Sequence, residues 1–303
     1  MKASGRPTAA VGSGTPSPSV SASPSASGSP SPSGASSPSR AASPSAGSGD
    51  TGSSATSGRK RSGTPAGGAR TARWQPRPGL SWQWQLDGKL DTSVDVAVYD
   101  IDGVENSKAT VDRLHRDGRK VVCYINVGAW EDFRPDKGAF PRSVLGDSNG
   151  WEGERWLDIR RRNVLRPIMA ERMDMCRAKG FDAVEPDLVD GYANDTGFPL
   201  SAADQLAYNR MIADLAHDRG LAVGLKNDLD QIPQLLRHFD FAVNEECAKY
   251  DECEALSPFV KAGKAVFHVE YEVPNSEFCA QSRRLKLSSM SKKLELGAWR
   301  KPC

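Results

Sequence analysis

The segment GFDAVEPDLVDGY (180–192) decides the fold, because it combines the end of a helix, a buried strand and a set of acids. Gly180 suits a helix C-terminus, and the residues after it read as a strand that runs into a loop. Glu185 and Asp187 share one face of that strand, since alternate side chains point the same way. An unpaired carboxylate is costly to bury. We therefore expect this strand end to present its carboxylates to a ligand.

Strand-like segments of this kind recur along the chain. They are WQWQL (82–86), VDVAVYDID (94–102), KVVCYINVG (120–128), FDAVEPD (181–187), LAVGLKN (221–227), DFAVNEE (240–246), KAVFHVEY (264–271) and a weaker LKLSSMS (285–291). Helical patterns that end in glycine separate most of them, although none separates the first two. This order is typical of a parallel sheet, and eight strands in about 230 residues predict an α/β fold of the (β/α)8 TIM-type barrel class.

Composition divides the chain into two predicted domains. Residues 1–73 contain no Phe, Trp or Tyr and carry a formal charge of +7, whereas residues 74–303 carry −5. A Ser/Pro/Gly/Ala-rich segment cannot bury enough apolar surface to offset its ordering entropy, so we expect 1–73 to be a disordered tail or linker and 74–303 to be the folded barrel domain. The basic cluster RKR (59–61) is interpreted as solvated linker charge, and we expect no nucleic-acid partner.

The number and position of the cysteines indicate the cellular compartment of the protein. All six cysteines lie in the predicted barrel, and an even number behind a Ser/Pro tract fits an exported, extracellular or cell-surface protein, although no signal peptide is recognisable at the N-terminus. Cys247 and Cys253 would close the shortest loop. Cys123 and Cys176 are either reduced core residues or a disulfide pair, and the first interpretation is favoured. No apolar run reaches 18 residues, so we expect no membrane span, and we expect a monomer.

Polar side chains gather at the C-terminal ends of six predicted strands, where barrels of this class build their active sites. They are Asp100 and Asp102; Tyr124 and Asn126; Glu185 and Asp187; Lys226, Asn227 and Asp228; Asn244, Glu245 and Glu246; and Glu270 and Tyr271, with Trp130 nearby. Each could cap a neighbouring helix, but six strands with this pattern at one end predict a shared polar pocket.

The residue types in this pocket favour carbohydrate chemistry. A zinc site is not expected, because the chain has no CxxC pair and only four histidines. No strand is followed by a GxSxG nucleophile elbow or by a glycine-rich phosphate loop. Glycoside hydrolysis needs two carboxyl groups that flank the scissile bond, together with aromatic and hydrogen-bonding groups that hold sugar rings. We therefore predict a glycoside hydrolase without metal or cofactor.

Eight motifs in order, among them EPDLVDGY (185–192), GLKN (224–227) and NEEC (244–247), resemble glycoside hydrolase family 114, the endo-α-1,4-polygalactosaminidases. The resemblance covers nearly all of residues 80–303. It implies a (β/α)8 barrel and a galactosamine-rich exopolysaccharide as the substrate and partner. It also implies that the catalytic acids are Asp187 and Glu245.

The other candidates receive binding roles. Glu246 is an alternative to Glu245, because alternation alone does not fix the strand register, and Glu185 is expected to orient a ligand or a partner. The expected subsite residues are Asp100, Asp102, Tyr124, Asn126, Trp130, Lys226, Asn227, Glu270 and Tyr271. Two alternative functions stay open: a hydrolase of another α-linked polysaccharide, and a non-catalytic barrel that binds amino sugars.

Overall fold

The computed structural model describes residues 73–303, so the expected tail lies outside the described residues apart from Arg73. The strands are β1 (Trp82–Gln85), β2 (Val98–Asp102), β3 (Lys120–Asn126), β4 (Ala129–Glu131), β5 (Leu145–Ser148), β6 (Glu154–Leu157), β7 (Ala183–Asp187), β8 (Ala222–Lys226), β9 (Phe241–Glu245), β10 (Val266–Glu270), β11 (Ser288–Ser291) and β12 (Lys301–Pro302). The α-helices are α1 (Lys108–Arg116), α2 (Arg162–Lys179), α3 (Ala202–Asp218), α4 (Ile232–Leu235), α5 (Ser257–Lys261) and α6 (Asn275–Leu285).

The eight predicted strands form one curled sheet in the order β1-β2-β3-β7-β8-β9-β10-β11, and every neighbouring pair in that series is parallel. The predicted (β/α)8 barrel is thereby confirmed. Strand β12 adds an antiparallel edge to β11. Within residues 73–303 no ladder joins β11 to β1. Trp82 Nε1 instead donates to the carbonyl of Ser288 at 2.8 Å, and Leu86 N donates to the carbonyl of Leu296 at 3.0 Å.

The helix ends follow the signals in the sequence. Ser201 caps α3 in a capping box with Asp204, and α2 ends at Gly180, whose φ of +92° is left-handed. Gly128 serves a different purpose, because a Cβ there would lie 1.7 Å from the carbonyl oxygen of Leu188. That close approach lets the backbone after β3 pair with the last residue of β7, since Gly128 N donates to the carbonyl of Asp187 at 3.2 Å. The end of β7 is held in place by this contact.

Alternation along the strands separates two apolar layers. Inward side chains near the N-terminal ends, including Trp82, Phe241 and Phe267, fill the barrel, and the Trp82 and Phe267 ring centroids lie 4.9 Å apart. Outward side chains pack under the helices. No helix in this part of the chain is both long enough and apolar enough to cross a bilayer.

Two features differ from expectation or were not foreseen. Cys123 and Cys176 form a disulfide that ties β3 to α2, so the favoured interpretation as reduced core residues was wrong and the alternative, a pair, is found. Disulfides also join Cys247 to Cys253 and Cys279 to Cys303. In addition, residues 129–157 form a separate antiparallel sheet in the order β4-β6-β5 between β3 and α2. Its strands have only three or four residues, too short for a clear alternating pattern.

Candidate active site

The inward face of the barrel changes from apolar to ionisable residues toward the C-terminal strand ends. On β7 the inward series is Ala183, Glu185 and Asp187, and on β8 it ends in Lys226. On β9 it ends in Glu245, two residues after buried Val243. The same alternation therefore places these ionisable side chains above the hydrophobic interior.

Lys226 lies at the centre of this group. Its Nζ is 3.0 Å from Glu185 Oε1, 2.9 Å from Asp187 Oδ1 and 3.3 Å from Glu245 Oε2. It also lies 4.6 Å from the centroid of the Trp84 ring, a cation–π distance. Burial alone would lower the pKa of Lys226, but the three carboxylates outweigh burial and raise it well above its ordinary value. The side chain is therefore a permanent cation at the floor of the site.

Both carboxylate oxygens of Asp187 accept hydrogen bonds. Tyr124 Oη donates to Oδ2 at 2.6 Å, and Lys226 donates to Oδ1 at 2.9 Å. Burial would raise the pKa of Asp187, but the charge of Lys226 and the hydrogen bond from Tyr124 outweigh it and lower the pKa below its ordinary value. Asp187 is thus an ionised carboxylate at neutral pH, as a nucleophile requires.

Glu245 faces Asp187 across Lys226. Tyr271 Oη donates to Glu245 Oε1, and Asn227 Nδ2 donates to Oε2 at 3.3 Å. The carboxylate oxygens of Asp187 and Glu245 that contact Lys226 Nζ lie 2.9 Å and 3.3 Å from it, so they are at most about 6.2 Å apart, the sum of the two distances. The side chains of Asp187 and Glu245 are 16% and 26% exposed, so both acids are accessible to a ligand.

The acids open into two adjoining cavities of about 120 Å³ and about 400 Å³. Asp190, Asn227 and Glu245 line both of them, so the two form one elongated cleft. The smaller cavity is also lined by Trp84, Leu86, Tyr124, Trp151, Glu154, Asp187, Leu188, Lys226 and Leu296. The larger is also lined by Tyr192, Ala193, Asp228, Leu229, Asp230, Asn244, Glu246, Tyr250, Glu252, Tyr271 and Leu294. An elongated cleft suits a chain of sugar rings.

Several lining residues were not predicted as binding residues. Burial and the nearby Asp187 raise the pKa of Asp190 to about 6, and burial and Asp190 raise that of Asp228 to about 8. Asp190 lies within the quoted motif, and Trp84 is in the first strand, so the strand-end rule could have found both. Trp151 belongs to the unforeseen 129–157 sheet region, for which the sequence carries no comparable signal.

Three predicted binding residues support loops instead of lining the cleft. Asp102 binds Arg134 Nη2 at 2.7 Å and accepts hydrogen bonds from two backbone amides of the following loop. Asn126 Oδ1 accepts hydrogen bonds from Gly128 N and Ala129 N, which shape the turn into β4. Trp130 Nε1 donates to the carbonyl of Lys137 at 3.1 Å, and its ring packs against the outer core.

Three further predicted residues also lie apart from the central group. Glu270 is fully buried on the outward face of β10, where it contacts His268 Nε2 at 2.8 Å. Glu246 lines the larger cavity and pairs with Lys249 at 2.8 Å. Asp100 is buried beneath the cleft and lines neither cavity.

One group of metal-ligating side chains comes together within residues 73–303, namely Cys247, Cys253 and His268. The two cysteines form a disulfide, so neither offers a thiolate to a metal ion. The chemistry available in the cleft is that of its carboxylates.

A (β/α)8 barrel with accessible acids at the C-terminal ends of two strands is a common architecture of glycoside hydrolases. This chain belongs to glycoside hydrolase family GH114, because the model of that family matches residues 63–303. The resemblance noted in the sequence is thereby confirmed, and the protein is a glycoside hydrolase.

Two solved structures and one sequence relative are similar to this chain. Ega3 of Aspergillus fumigatus, solved in complex with galactosamine, is 42% identical, with a TM-score of 0.73 over 78% of this chain and 100% of that chain. The glycoside hydrolase domain of PelA from Pseudomonas aeruginosa shares the fold at 13% identity, with a TM-score of 0.59 over 74% and 98% of the two chains. An uncharacterised protein of Deinococcus radiodurans is 27% identical over 64% of this chain and 74% of its own length.

Proposed function

We propose that this protein is an endo-acting hydrolase of α-1,4-linked galactosamine polymers, with Asp187 as the nucleophile and Glu245 as the acid/base of a retaining mechanism. The single observation that carries the proposal is the position of the two acids on either side of Lys226, with their facing oxygens at most about 6.2 Å apart. Retaining enzymes place their carboxyl groups about 5–5.5 Å apart, and inverting enzymes about 6.5–9.5 Å. The limit applies to the two oxygens that contact Lys226, and a separation this short supports the retaining arrangement.

The proposed reaction starts with Asp187 ionised and Glu245 protonated. An oxygen of ionised Asp187 attacks the anomeric carbon while Glu245 gives its proton to the departing glycosidic oxygen, so one C–O bond forms as another breaks. The product is an ester between Asp187 and the sugar. Glu245, now ionised, takes a proton from water, and that water attacks the anomeric carbon and releases Asp187. Lys226 and Tyr124 keep Asp187 ionised before the attack.

The substrate assignment rests on similarity and on charge. Ega3, at 42% identity, was solved with galactosamine. A deacetylated galactosamine polymer is cationic, and the cleft of this protein is rich in carboxylates. We also propose that the protein acts outside the cell as a monomer. Three disulfides within residues 73–303 suit an oxidising compartment.

A reducing-end assay over a panel of polysaccharides tests the proposal and separates it from the two alternatives. We expect cleavage of partially deacetylated α-1,4-galactosaminan with oligomeric products, and loss of about 10³-fold or more in turnover for Asp187→Asn and Glu245→Gln. Glu272→Gln, on a side chain that is 75% exposed, is the matched control and should leave turnover unchanged. Cleavage of a different α-glycan alone would reassign the substrate, and binding without cleavage of any polymer would identify a non-catalytic barrel.

A further inference from the structure

A second pair of carboxyl groups lies beneath the cleft. Asp100 on β2 and Glu185 on β7 are 1% and 0% exposed, and neither lines either of the two cavities described above. The proposed mechanism gives neither of them a chemical step. Two acids buried side by side in a barrel interior are costly unless their charge is compensated.

The hydrogen-bond partners of this pair show how the charge is compensated. Glu185 Oε1 accepts from Lys226 Nζ at 3.0 Å. Both oxygens of Asp100 and Oε2 of Glu185 meet no donor among the described residues if both acids are ionised. A hydrogen bond between the two carboxyl groups would satisfy these oxygens, and after burial and the charge of Glu185 it is a further cause of the raised pKa of Asp100. A hydrogen bond between two carboxyl groups requires that one of them carries a proton.

The surroundings of Asp100 and Glu185 determine which of the two acids carries the proton. Glu185 touches the ammonium group of Lys226, which favours the ionised form of Glu185, whereas no cation of residues 73–303 contacts Asp100 directly. Burial and the neighbouring charge of Glu185 raise the pKa of Asp100 well above its ordinary value. The other ionisable groups that face the pair are Asp187 on β7 and Tyr124 on β3, with Glu245 reached through Lys226.

We propose that Asp100 is a neutral positioning acid, which keeps its proton and donates a hydrogen bond to Glu185, and thereby keeps Glu185 ionised and Lys226 fixed between Asp187 and Glu245. The chain of contacts runs from Asp100 to Glu185, from Glu185 to Lys226 at 3.0 Å, and from Lys226 to Asp187 at 2.9 Å. The role of Asp100 in turnover rests on the proposed function, whereas the protonation state of Asp100 is independent of that function.

Infrared difference spectroscopy of the full chain without substrate tests the protonation directly. At neutral pH we expect the spectrum of the wild type minus Asp100→Asn to contain a protonated-carboxyl C=O band that shifts in D₂O. The subtraction isolates Asp100 from Asp228, whose pKa of about 8 keeps it protonated as well. Asp228→Asn, subtracted in the same way, is the positive control for detection. A band in the Asp228 difference with none in the Asp100 difference would show that Asp100 is ionised and overturn the proposal, whatever the substrate of the enzyme.

Turnover tests the positioning role. Asparagine at position 100 keeps a donor for Glu185, so Asp100→Asn should retain kcat within about threefold, whereas Asp100→Leu should lose about 10- to 100-fold, the worth of a hydrogen bond to a charged group. In Asp100→Leu the acid limb of the kcat profile should also move to higher pH, because Glu185 then protonates more easily. If Asp100→Asn were folded but lost activity as severely as Asp100→Leu, a charge at position 100 would be required and the proposal would be wrong.

Discussion

Tyr124 Oη donates a 2.6 Å hydrogen bond to Asp187 Oδ2 across the boundary between β3 and β7. Strand β8 borders β7 on its other side and supplies Lys226, which binds the second oxygen. Asp187 therefore accepts hydrogen bonds from both neighbouring strands, and these bonds fix the orientation of its carboxylate relative to the cleft.

Tyr124→Phe should raise the pKa of Asp187, because the hydrogen bond from the hydroxyl is one of the interactions that lower it. A higher pKa means that Asp187, the proposed nucleophile, is protonated at higher pH, so activity should fall most on the acid side. We expect the acid limb of kcat/KM to move upward and the plateau to fall by about 10-fold or more, the worth of one hydrogen bond to a charged group. A pH–rate profile of kcat/KM measures both effects.

Tyr99→Phe is the matched control. Tyr99 is as buried as Tyr124, but its hydroxyl donates to the carbonyl of Val94 at 2.8 Å, away from the cleft. Its pH profile should match that of the wild type. If Tyr124→Phe behaved in the same way as this control, the tyrosine would have no part in keeping Asp187 ionised.

The stereochemistry of the product is a separate prediction. The facing oxygens of Asp187 and Glu245 lie at most about 6.2 Å apart, and this short separation favours direct attack by the carboxylate over attack by an intervening water molecule, which inversion would require. We expect the first-formed reducing end to have the same anomeric configuration as the substrate. Proton NMR within the first minutes of hydrolysis distinguishes the anomers before they equilibrate, and an initially inverted product would refute retention.

The sequence predicted the barrel because its signals are local. A glycine after a helix pattern, followed by an apolar strand, needs no partner to be recognised, and the acids at the ends of β7 and β9 follow from strand position. Lys226 was predicted only as a subsite residue. That it contacts three acids depends on bringing β7, β8 and β9 side by side with the correct faces inward.

The errors and omissions share one cause, which is that strand faces and remote partners are not local properties. Glu270 and Tyr271 are adjacent, yet Tyr271 reaches Glu245 while Glu270 points outward to His268. Asp102 was predicted to bind a ligand because its ion pair with Arg134 could not be recognised from the sequence. Arg134 lies in the inserted sheet region, which has no clear alternating pattern. Cys123 likewise pairs with a helix residue 53 positions away.

Asp240 is predicted to stabilise the fold in a pH-dependent way. It lies at the start of β9, where its carboxylate accepts hydrogen bonds from Arg73 at 3.1 Å and His217 at 2.9 Å. Burial would raise the pKa of Asp240, but these bonds outweigh it and lower the pKa below its ordinary value of 3.8. A lowered folded pKa means that the stabilisation is present above the unfolded pKa and is lost as pH falls through the folded pKa.

Asp240→Asn should therefore reduce the free energy of unfolding by about 2 kcal/mol near neutral pH, and the difference should shrink below about pH 4. Urea denaturation of the variant and the wild type at several pH values measures this difference in the free energy of unfolding. Asp174→Asn is the matched control, because Asp174 also pairs with an arginine but its side chain is 60% exposed. A difference between Asp240→Asn and wild type that did not change with pH would exclude the carboxylate charge as its source.

The Ser/Pro/Gly/Ala-rich tail is predicted to be dispensable for hydrolysis, because it has no aromatic residue to stack on a sugar. The test is deletion of residues 1–72, which keeps Arg73 and its ion pair with Asp240. We expect an unchanged kcat on soluble oligosaccharides. Deletion through residue 73 should keep the same kcat but lower stability, and loss of hydrolysis in the shorter deletion would make the tail part of the active unit.

The charge of the cleft predicts a preference for substrates with free amines. Among the residues that line the two cavities, eight are acidic and only Lys226 is basic. A negative cleft attracts a cationic polymer and raises its encounter rate, and individual carboxylates can pair with ammonium groups. A fully N-acetylated polymer is neutral and gains neither effect. We therefore expect a higher kcat/KM on deacetylated oligomers than on acetylated oligomers of the same length.

Salt and substitution should both reduce this preference. Exposed charges are screened over about 8–10 Å at physiological ionic strength, so kcat/KM on deacetylated oligomers should fall as salt rises while that on acetylated oligomers stays constant. Asp230→Asn and Glu252→Gln, in the wall of the larger cavity, should lower the preference without lowering turnover of the acetylated substrate. Glu277→Gln, on an exposed residue of α6, controls for net charge alone. Equal rates on both oligomers, unaffected by salt or by these substitutions, would show that ring shape and stacking, not charge, select the substrate.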